Sequence, residues 1–309
     1  MNVRPLLLIL LIAFCWIPNA DAQEKIHIYE NEFPTTMAGL DMKGPIKTVK
    51  ITSVWTREAD TISYYWSTYY FNSKGFLIRE VHYYPSDTLD GSYTYDSLGR
   101  YISAAATPNG NVFREALYDS LGRFSHSVYT RQNGEPKPSF RYYYDEKGRC
   151  VRREYRPTAD EEELGYEVMQ HLFKYDDIGN CIEEAVVVDG DTGLVRRNIY
   201  DDFGNVTEYS TSDSIRETYL YDTDNLLVKH LSYYDNALSS ETFFEYDEKK
   251  LLKHCKYYDA NGNLNFLYEF QYDEYRNPLE CITYSWKKDR TPGVKIAVTY
   301  EYEYYASGE

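Results

Sequence analysis

The sequence predicts an all-β fold: a repetitive antiparallel β-meander of about 18 strands that coils into a spiral or partial barrel. The motif YDSLGR occurs at Tyr95–Arg100 and again at Tyr118–Arg123, and altered copies recur along the chain. Aromatic residues precede most copies at every second position, which is the period of a strand with one covered face. The chain carries 35 tyrosines among its 309 residues, enough ring area to argue against disorder.

The first 22 residues predict a secretory signal peptide. Arg4 supplies a positive start, Leu6–Ile17 is apolar, and Ala20–Ala22 is an A-x-A cleavage site. This apolar run is shorter than the roughly 20 residues that a spanning helix needs. A lipoprotein signal at Cys15 is disfavoured, because Phe14 stands where such signals need a small residue.

The mature chain is therefore expected to be exported to the periplasm, the cell surface or the medium, with no membrane span. It would begin with an N-terminal lead segment at residues 23–43. Its formal net charge is -16. So acidic a chain repels phosphate backbones, and we expect no nucleic-acid partner.

Nine copies of the motif align on an aromatic anchor residue that ends a strand. The anchors are Phe71, Tyr95, Tyr118, Tyr144, Tyr175, Tyr200, Tyr221, Tyr246 and Tyr272. An apolar or aromatic residue stands six positions later and begins the next strand. Tyrosine suits the anchor position because its ring can pack on neighbouring strands while its hydroxyl reaches water.

A tight turn follows each anchor. The next residue is usually Asp, which accepts backbone N–H bonds, and a Gly three positions later tolerates positive φ. The predicted turn residues are Asp96 and Gly99, Asp119 and Gly122, Asp145 and Gly148, Asp176 and Gly179, and Asp201 and Gly204. Asn225 is a reasonable substitute for the glycine, whereas Lys250 and Arg276 predict less ideal turns towards the C-terminus. A second turn about 12 residues after each anchor completes a unit of two strands.

The motif Tyr-Asp-x-x-Gly-Arg resembles the YD repeat of the RHS and teneurin families, and the chain looks like a small secreted bacterial member. Three copies match it fully, beginning at Tyr95, Tyr118 and Tyr144. The resemblance covers roughly residues 65–305 and implies a spiralling antiparallel ribbon, here a repeat domain at residues 44–309 of about nine units. In large relatives the ribbon closes around a toxin. The sequence shows no Asp-Pro-containing core motif after the repeats, and we expect no C-terminal effector domain.

No pattern in the sequence indicates catalysis. The six histidines lack metal-ligand spacing, and nucleotide-binding and hydrolase motifs are absent. A calcium ladder of turn aspartates would need a glycine-rich nonapeptide that is missing. We therefore expect no enzyme activity, no cofactor and no metal. The predicted function is a non-catalytic secreted or cell-envelope scaffold for protein interaction or adhesion; the alternative is a carbohydrate-binding module with an exposed aromatic face. The expected partner is accordingly an unknown protein or glycan at the cell envelope.

One alternative fold and one question of cysteine pairing arise from the sequence. Two units could form one blade of about 50 residues in a propeller. The four mature cysteines form two same-phase pairs, Cys150 with Cys181 and Cys255 with Cys281. In a meander such positions lie two strands apart, about 9.6 Å, which is too far for a disulfide. We therefore expect that neither pair is bridged and that Cys150 and Cys181 act as small buried hydrophobes.

The segment SYYWSTYYF predicts a strand that is aromatic on both faces. Strand alternation places Tyr64, Trp66 and Tyr70 opposite the anchor Phe71. Either the lead segment Gln23–Asp41 covers this end of the spiral, or these three residues form an exposed ligand-binding platform.

Overall fold

The computed structural model describes residues 42–57, 60–84, 87–107, 112–130, 136–138, 140–157, 159–287 and 291–306. The predicted signal peptide and the lead segment up to residue 41 lie outside the described residues. The strands are β1 Ile46–Arg57, β2 Asp60–Phe71, β3 Leu77–Tyr84, β4 Asp87–Tyr95, β5 Tyr101–Thr107, β6 Val112–Tyr118, β7 Phe124–Thr130, β8 Lys137–Pro138, β9 Arg141–Tyr144, β10 Cys150–Tyr155, β11 Met169–Tyr175, β12 Cys181–Val188, β13 Asp191–Tyr200, β14 Val206–Thr211, β15 Ile215–Tyr221, β16 Leu227–Tyr234, β17 Ala237–Tyr246, β18 Leu252–Asp259, β19 Leu264–Tyr272, β20 Pro278–Trp286 and β21 Pro292–Tyr304. A short helix, α1 Ala159–Glu163, lies between β10 and β11.

The strands form one antiparallel sheet in which neighbours in sequence are neighbours in space. The predicted all-β meander is thus confirmed, and the propeller alternative is wrong. β8 pairs with β7 while β9 pairs with β10, so these two short strands share one position and the sheet has 20 positions, against about 18 predicted. β1 pairs with both β2 and β21, which closes the sheet into a barrel-like ring.

One seam interrupts the ring among the described residues. β7 and the β8–β9 position share only the pairs Val128–Pro138 and Tyr129–Lys137. Pro136 and Pro138 stand at this place in the sequence. Because proline has no backbone N–H to donate to a ladder, these residues explain why strand pairing is interrupted at the seam.

All nine anchor turns lie at the same end of the ring, because the meander returns every second turn to that end. We call this edge the turn rim. In the first full copy, Asp96 Oδ1 accepts the N–H groups of Leu98 and Arg100 at 2.9 and 2.8 Å, and the Gly99 N–H donates to the Asp96 carbonyl at 3.0 Å. Gly99 has a φ of 80°.

The turns near the C-terminus keep the same geometry without glycine. Asn225, Lys250 and Arg276 have φ values of 65°, 61° and 73°. The Lys250 N–H still donates to the Asp247 carbonyl at 3.0 Å, and the Arg276 N–H donates to the Asp273 carbonyl at 3.2 Å. The expectation of less ideal turns is thus confirmed for the backbone, because the two long side chains occupy a strained region, while the hydrogen bonds of the turns are kept.

The anchor tyrosines differ from the prediction in one respect: their hydroxyls do not simply reach water. Each donates to the backbone carbonyl of the first strand residue of the preceding unit. The pairs are Tyr95 to Leu77, Tyr118 to Tyr101, Tyr144 to Phe124, Tyr175 to Cys150, Tyr200 to Cys181, Tyr221 to Val206, Tyr246 to Leu227 and Tyr272 to Leu252, at 2.6 to 3.0 Å. The hydroxyl thus joins successive units, a role that phenylalanine cannot fill.

The anchors define the inner face of the ring, and the core lies there near the turn rim. One cluster joins Tyr101, Phe124, Tyr142, Cys150 and Phe173, and a second is centred on β1 to β3. The side chains on the other face, which we call the outer face, are the more solvated, as Ser92 and Thr94 beside the inner Tyr93 and Tyr95 illustrate. The alternation predicted from the sequence positions the side chains of β2 discussed below.

Candidate functional site

The structure places Tyr64, Trp66 and Tyr70 on the outer face of β2. Phe71 on the inner face is 1% exposed, whereas Tyr64 is 45% exposed. β2 lies between β1 and β3, so its backbone groups are engaged in ladders on both sides and only its side chains are available for contacts.

Trp66 stacks on Tyr83 of the neighbouring strand β3. The two residues are register partners, their ring centroids lie 4.6 Å apart and their planes differ by 17°. The Tyr64 ring lies 5.3 Å from the Trp66 ring at 46°. We call Tyr64, Trp66 and Tyr83 the aromatic surface.

Tyr70 does not join these rings, since Thr68 lies between Tyr70 and Trp66 along the same face of β2. The Arg79 guanidinium instead lies 5.4 Å from the Tyr70 ring centroid. Arg79 also binds Asp90 in two places, with Nε donating to Oδ1 at 3.0 Å and a second nitrogen donating to Oδ2 at 2.6 Å. These hydrogen bonds to Arg79 lower the pKa of Asp90. The pair is therefore ionised and places a planar polar group beside the aromatic surface.

Tyr83 is the member of the aromatic surface that the sequence did not identify. Adjacent tyrosines, Tyr83 and Tyr84, end β3. A register shift between Tyr70 and Phe71 offsets β3 against β2, and Tyr83 as a result pairs with Trp66 on the outer face. Because a shift of one residue exchanges the two faces, alternation alone could not select Tyr83.

Polar side chains lie on the inner face directly behind the aromatic surface. Ser67 Oγ lies 2.7 Å from His82 Nδ1, and His82 Nε2 lies 3.4 Å from Glu80 Oε2. The Tyr93 hydroxyl donates to Glu80 Oε1 at 2.6 Å. Burial opposes ionisation of Glu80, but the hydrogen bonds from His82 and Tyr93 prevail and lower its pKa.

The Ser67, His82 and Glu80 side chains have the order of an acyl-transfer triad. Such a site also needs hydrogen-bond donors for an oxyanion and access for substrate. Ser67 is only 8% exposed, and its strand is paired on both sides, so backbone N–H groups do not converge on it. We interpret the three residues as a buried polar network, like the one that Glu184 forms with His171 at 2.6 Å and Arg196 at 2.7 Å. There, too, burial opposes ionisation, and the two partners nevertheless lower the pKa of Glu184 to about 2.

The predicted turn residues do not contribute to the aromatic surface. The aspartate and glycine positions from Asp96 to Gly204 make the hydrogen bonds within their own turns described above, and the five glycines have φ between 76° and 104°. These residues shape the turn rim.

The four cysteines among the described residues are buried free thiols. β11 separates the strands of Cys150 and Cys181, and β19 separates those of Cys255 and Cys281. Burial raises the pKa of Cys150 and Cys181 to about 11 and that of Cys255 and Cys281 to about 12. Thiols held protonated in this way are poor nucleophiles and metal ligands.

Within the part of the chain that the structure describes, no group of three or more His, Cys, Asp or Glu side chains converges as a metal site. Among the same residues, no helix is long and apolar enough to cross a bilayer.

No family model and no curated protein matches the chain. Solved structures do match, at low similarity. A porin-like protein from Bacteroides uniformis has a TM-score of 0.38 and 12% identity, over 87% of this chain and 98% of that one. The TcdB2-TccC3 crystal structure has a TM-score of 0.34 and 12% identity, over 73% of this chain. The Photorhabdus luminescens Tc holotoxin pore has a TM-score of 0.30 and 11% identity, over 74% of this chain. The chain spans only 15% and 16% of these two toxin chains.

Proposed function

We propose that this chain is an exported binding scaffold of the YD-repeat type, and that it adheres to glycans through the aromatic surface on β2 and β3. The observation that carries the proposal is the arrangement of Tyr64, Trp66 and Tyr83. Three rings lie together on the solvated face of a rigid sheet, where exposed apolar clusters tend to mark binding sites.

The geometry favours a sugar over a flat apolar ligand. The Trp66 and Tyr83 rings lie stacked in nearly parallel planes, and the apolar face of a pyranose ring can pack on the outer ring face of the pair. Arg79 and Asp90 lie on the same face of the sheet and can exchange hydrogen bonds with sugar hydroxyls. A site built from rigid aromatic rings also loses little side-chain entropy on binding.

The test is a glycan array with the full mature protein, followed by calorimetry on the best ligand. We expect Trp66→Ala to lose at least tenfold in affinity, because it removes the central ring of the surface. The matched control is Tyr233→Ala, which removes a ring from β16 that also lies on the outer face of the sheet. The Arg216 guanidinium carbon lies 4.2 Å from the centroid of that ring. This control should bind normally.

Melting curves separate binding from folding. Trp66→Ala should lower the melting temperature by only a few degrees, since a stacked aromatic pair contributes about 1 kcal/mol. If the wild-type protein binds no glycan, or if Trp66→Ala binds as the wild type does, the glycan assignment is wrong. A protein ligand would then be the remaining candidate for this surface.

A further inference from the structure

The turn rim exposes a set of large apolar side chains that the proposed glycan site does not use. Leu98, Leu121, Ile178 and Phe203 are 78%, 75%, 81% and 81% exposed. Each is the third residue of its turn, at the tip. Single exposed apolar residues are ordinary, but four at the same structural position on one edge indicate a contact surface.

The turn itself does not require an apolar residue at this position. The aspartate side chain accepts the backbone N–H of the tip residue, whatever its side chain is, as at Leu98, Phe203 and Lys249, all at 2.8 to 2.9 Å. Lys74, Lys147, Asp224 and Lys249 occupy the tips of other turns without altering them. The apolar tips therefore need an explanation outside the turn.

The described chain begins at this same rim. The Lys43 N–H donates to Asn277 Oδ1 at 2.5 Å, and Asn277 Nδ2 donates to the Lys43 carbonyl at 2.9 Å. Asn277, which ends the last anchor turn, is fully buried. Met42 packs into the core cluster at the rim, beside Phe71 and Leu77. Residues 42 and 43 thus already lie across the edge of the ring.

The residues that precede Met42 are long enough to reach every tip. Residues 23–41, if extended, span about 60 Å. A circular ring of 20 strands spaced about 4.8 Å apart would be about 30 Å across. The sequence of this stretch, QEKIHIYENEFPTTMAGLD, contains Ile26, Ile28, Tyr29, Phe33 and Leu40.

We propose that residues 23–41 dock along the turn rim of their own chain and cover its apolar tips. The groove beside Phe203 is the main docking point. It has a volume of about 520 Å³ and is also lined by Leu220 and Thr207. An aromatic or branched side chain of the segment enters it. This placement leaves the aromatic surface, on the outer face of β2, open.

Photo-cross-linking tests the proposal on the full mature chain. A photoreactive phenylalanine at position 203 should link to a peptide within residues 24–41 of the same molecule, so that the product migrates as a monomer. The matched probe at position 64 should not link to that peptide. A dimeric product from position 203 would show that a second copy covers the rim, and no protein product at all would show that nothing in this chain does; either result overturns the proposal.

Hydrogen exchange supplies an independent measurement. Amides in residues 26–40 should exchange at least about tenfold more slowly than in an unstructured chain. The double variant Ile178→Lys and Phe203→Lys gives these tips the residue found at position 147 and should abolish that protection, while Lys147→Ala should preserve it. Full exchange of residues 26–40 at the earliest time in the wild type would contradict the docking.

Discussion

The two halves of the turn rim reach one geometry from different residues. From Gly99 to Gly204 the fourth turn position is glycine at positive φ, whereas Asn225, Lys250 and Arg276 hold that position later in the chain. The hydrogen bonds of the turn are nevertheless the same in both halves. The aspartate side chain and the register of the strands therefore define the turn, and glycine lowers its strain.

The anchor tyrosine is what both halves share without exception. Tyr144 donates to the Phe124 carbonyl at 2.7 Å, and Tyr246 donates to the Leu227 carbonyl at 2.9 Å. The phenol ring packs on the inner face, and the hydroxyl donates a hydrogen bond to the preceding unit. The common tyrosine should therefore matter more for stability than the variable fourth residue.

The largest expected effect comes from removing the shared anchor. Tyr144→Ala and Tyr246→Ala should each lower the free energy of unfolding by about 3 kcal/mol, because both lose a packed ring and an inter-unit hydrogen bond. Urea denaturation measures the loss. A loss below about 1 kcal/mol at either position would place that tyrosine outside the core and break the equivalence of the two halves.

Exchanging the fourth turn residue between the halves measures how much backbone strain at that position lowers stability. Gly148→Lys should destabilise the protein by about 1 to 2 kcal/mol, since a side chain at positive φ is strained. Lys250→Gly should stabilise it by about 1 kcal/mol or less, because relief of strain is offset by the greater freedom of glycine in the unfolded chain. If both exchanges leave the urea midpoint unchanged, backbone strain does not distinguish the halves.

Removing only the hydroxyl isolates the link between units. Tyr144→Phe should cost about 1 kcal/mol, because the Phe124 carbonyl loses its side-chain donor. Tyr64→Phe is the control, since Tyr64 is exposed on the outer face. Equal urea midpoints for the two phenylalanine variants would mean that the inter-unit hydrogen bonds do not stabilise the fold.

The smallest effect is a pH dependence of the early turns. Burial opposes ionisation of Asp96, Asp119 and Asp145, but hydrogen bonds from the backbone and side chains of Arg100, Arg123 and Arg149 lower the pKa of each carboxyl. A lowered folded-state pKa means that the stabilisation is present above the unfolded pKa and is lost as pH falls through the folded one.

Carboxyl-carbon NMR titration measures these three midpoints directly. Each should lie below about 3.9, the usual value for Asp. Arg123→Ala should raise the midpoint of Asp119 and leave that of Asp145 unchanged. A midpoint at or above the usual value in the wild type would show that the arginine does not support its turn.

The sequence predicted the strands and turns well because they depend on local patterns. The phase of the repeat located the anchors, the aspartates and the alternation of faces around Trp66. It could not identify Tyr83, because a register shift in the paired strands decides which tyrosine faces outwards. It could not identify the acceptor of the tyrosine hydroxyls, which is a carbonyl on another unit. Closure of the ring depends on the pairing of β1 with β21. These strands are far apart in the sequence, so no local pattern predicts that they pair.

An engineered disulfide between the first and last strands tests the closed ring most directly. Thr52 and Thr299 are register partners on β1 and β21, and paired antiparallel residues have Cα atoms about 4.5 to 5.5 Å apart, within disulfide range. The variant Thr52→Cys with Thr299→Cys should form this bond under mild oxidation, as peptide mass spectrometry would show, and should unfold at a higher urea concentration than its reduced form. An open spiral would leave both introduced thiols free, and that result would contradict the ring.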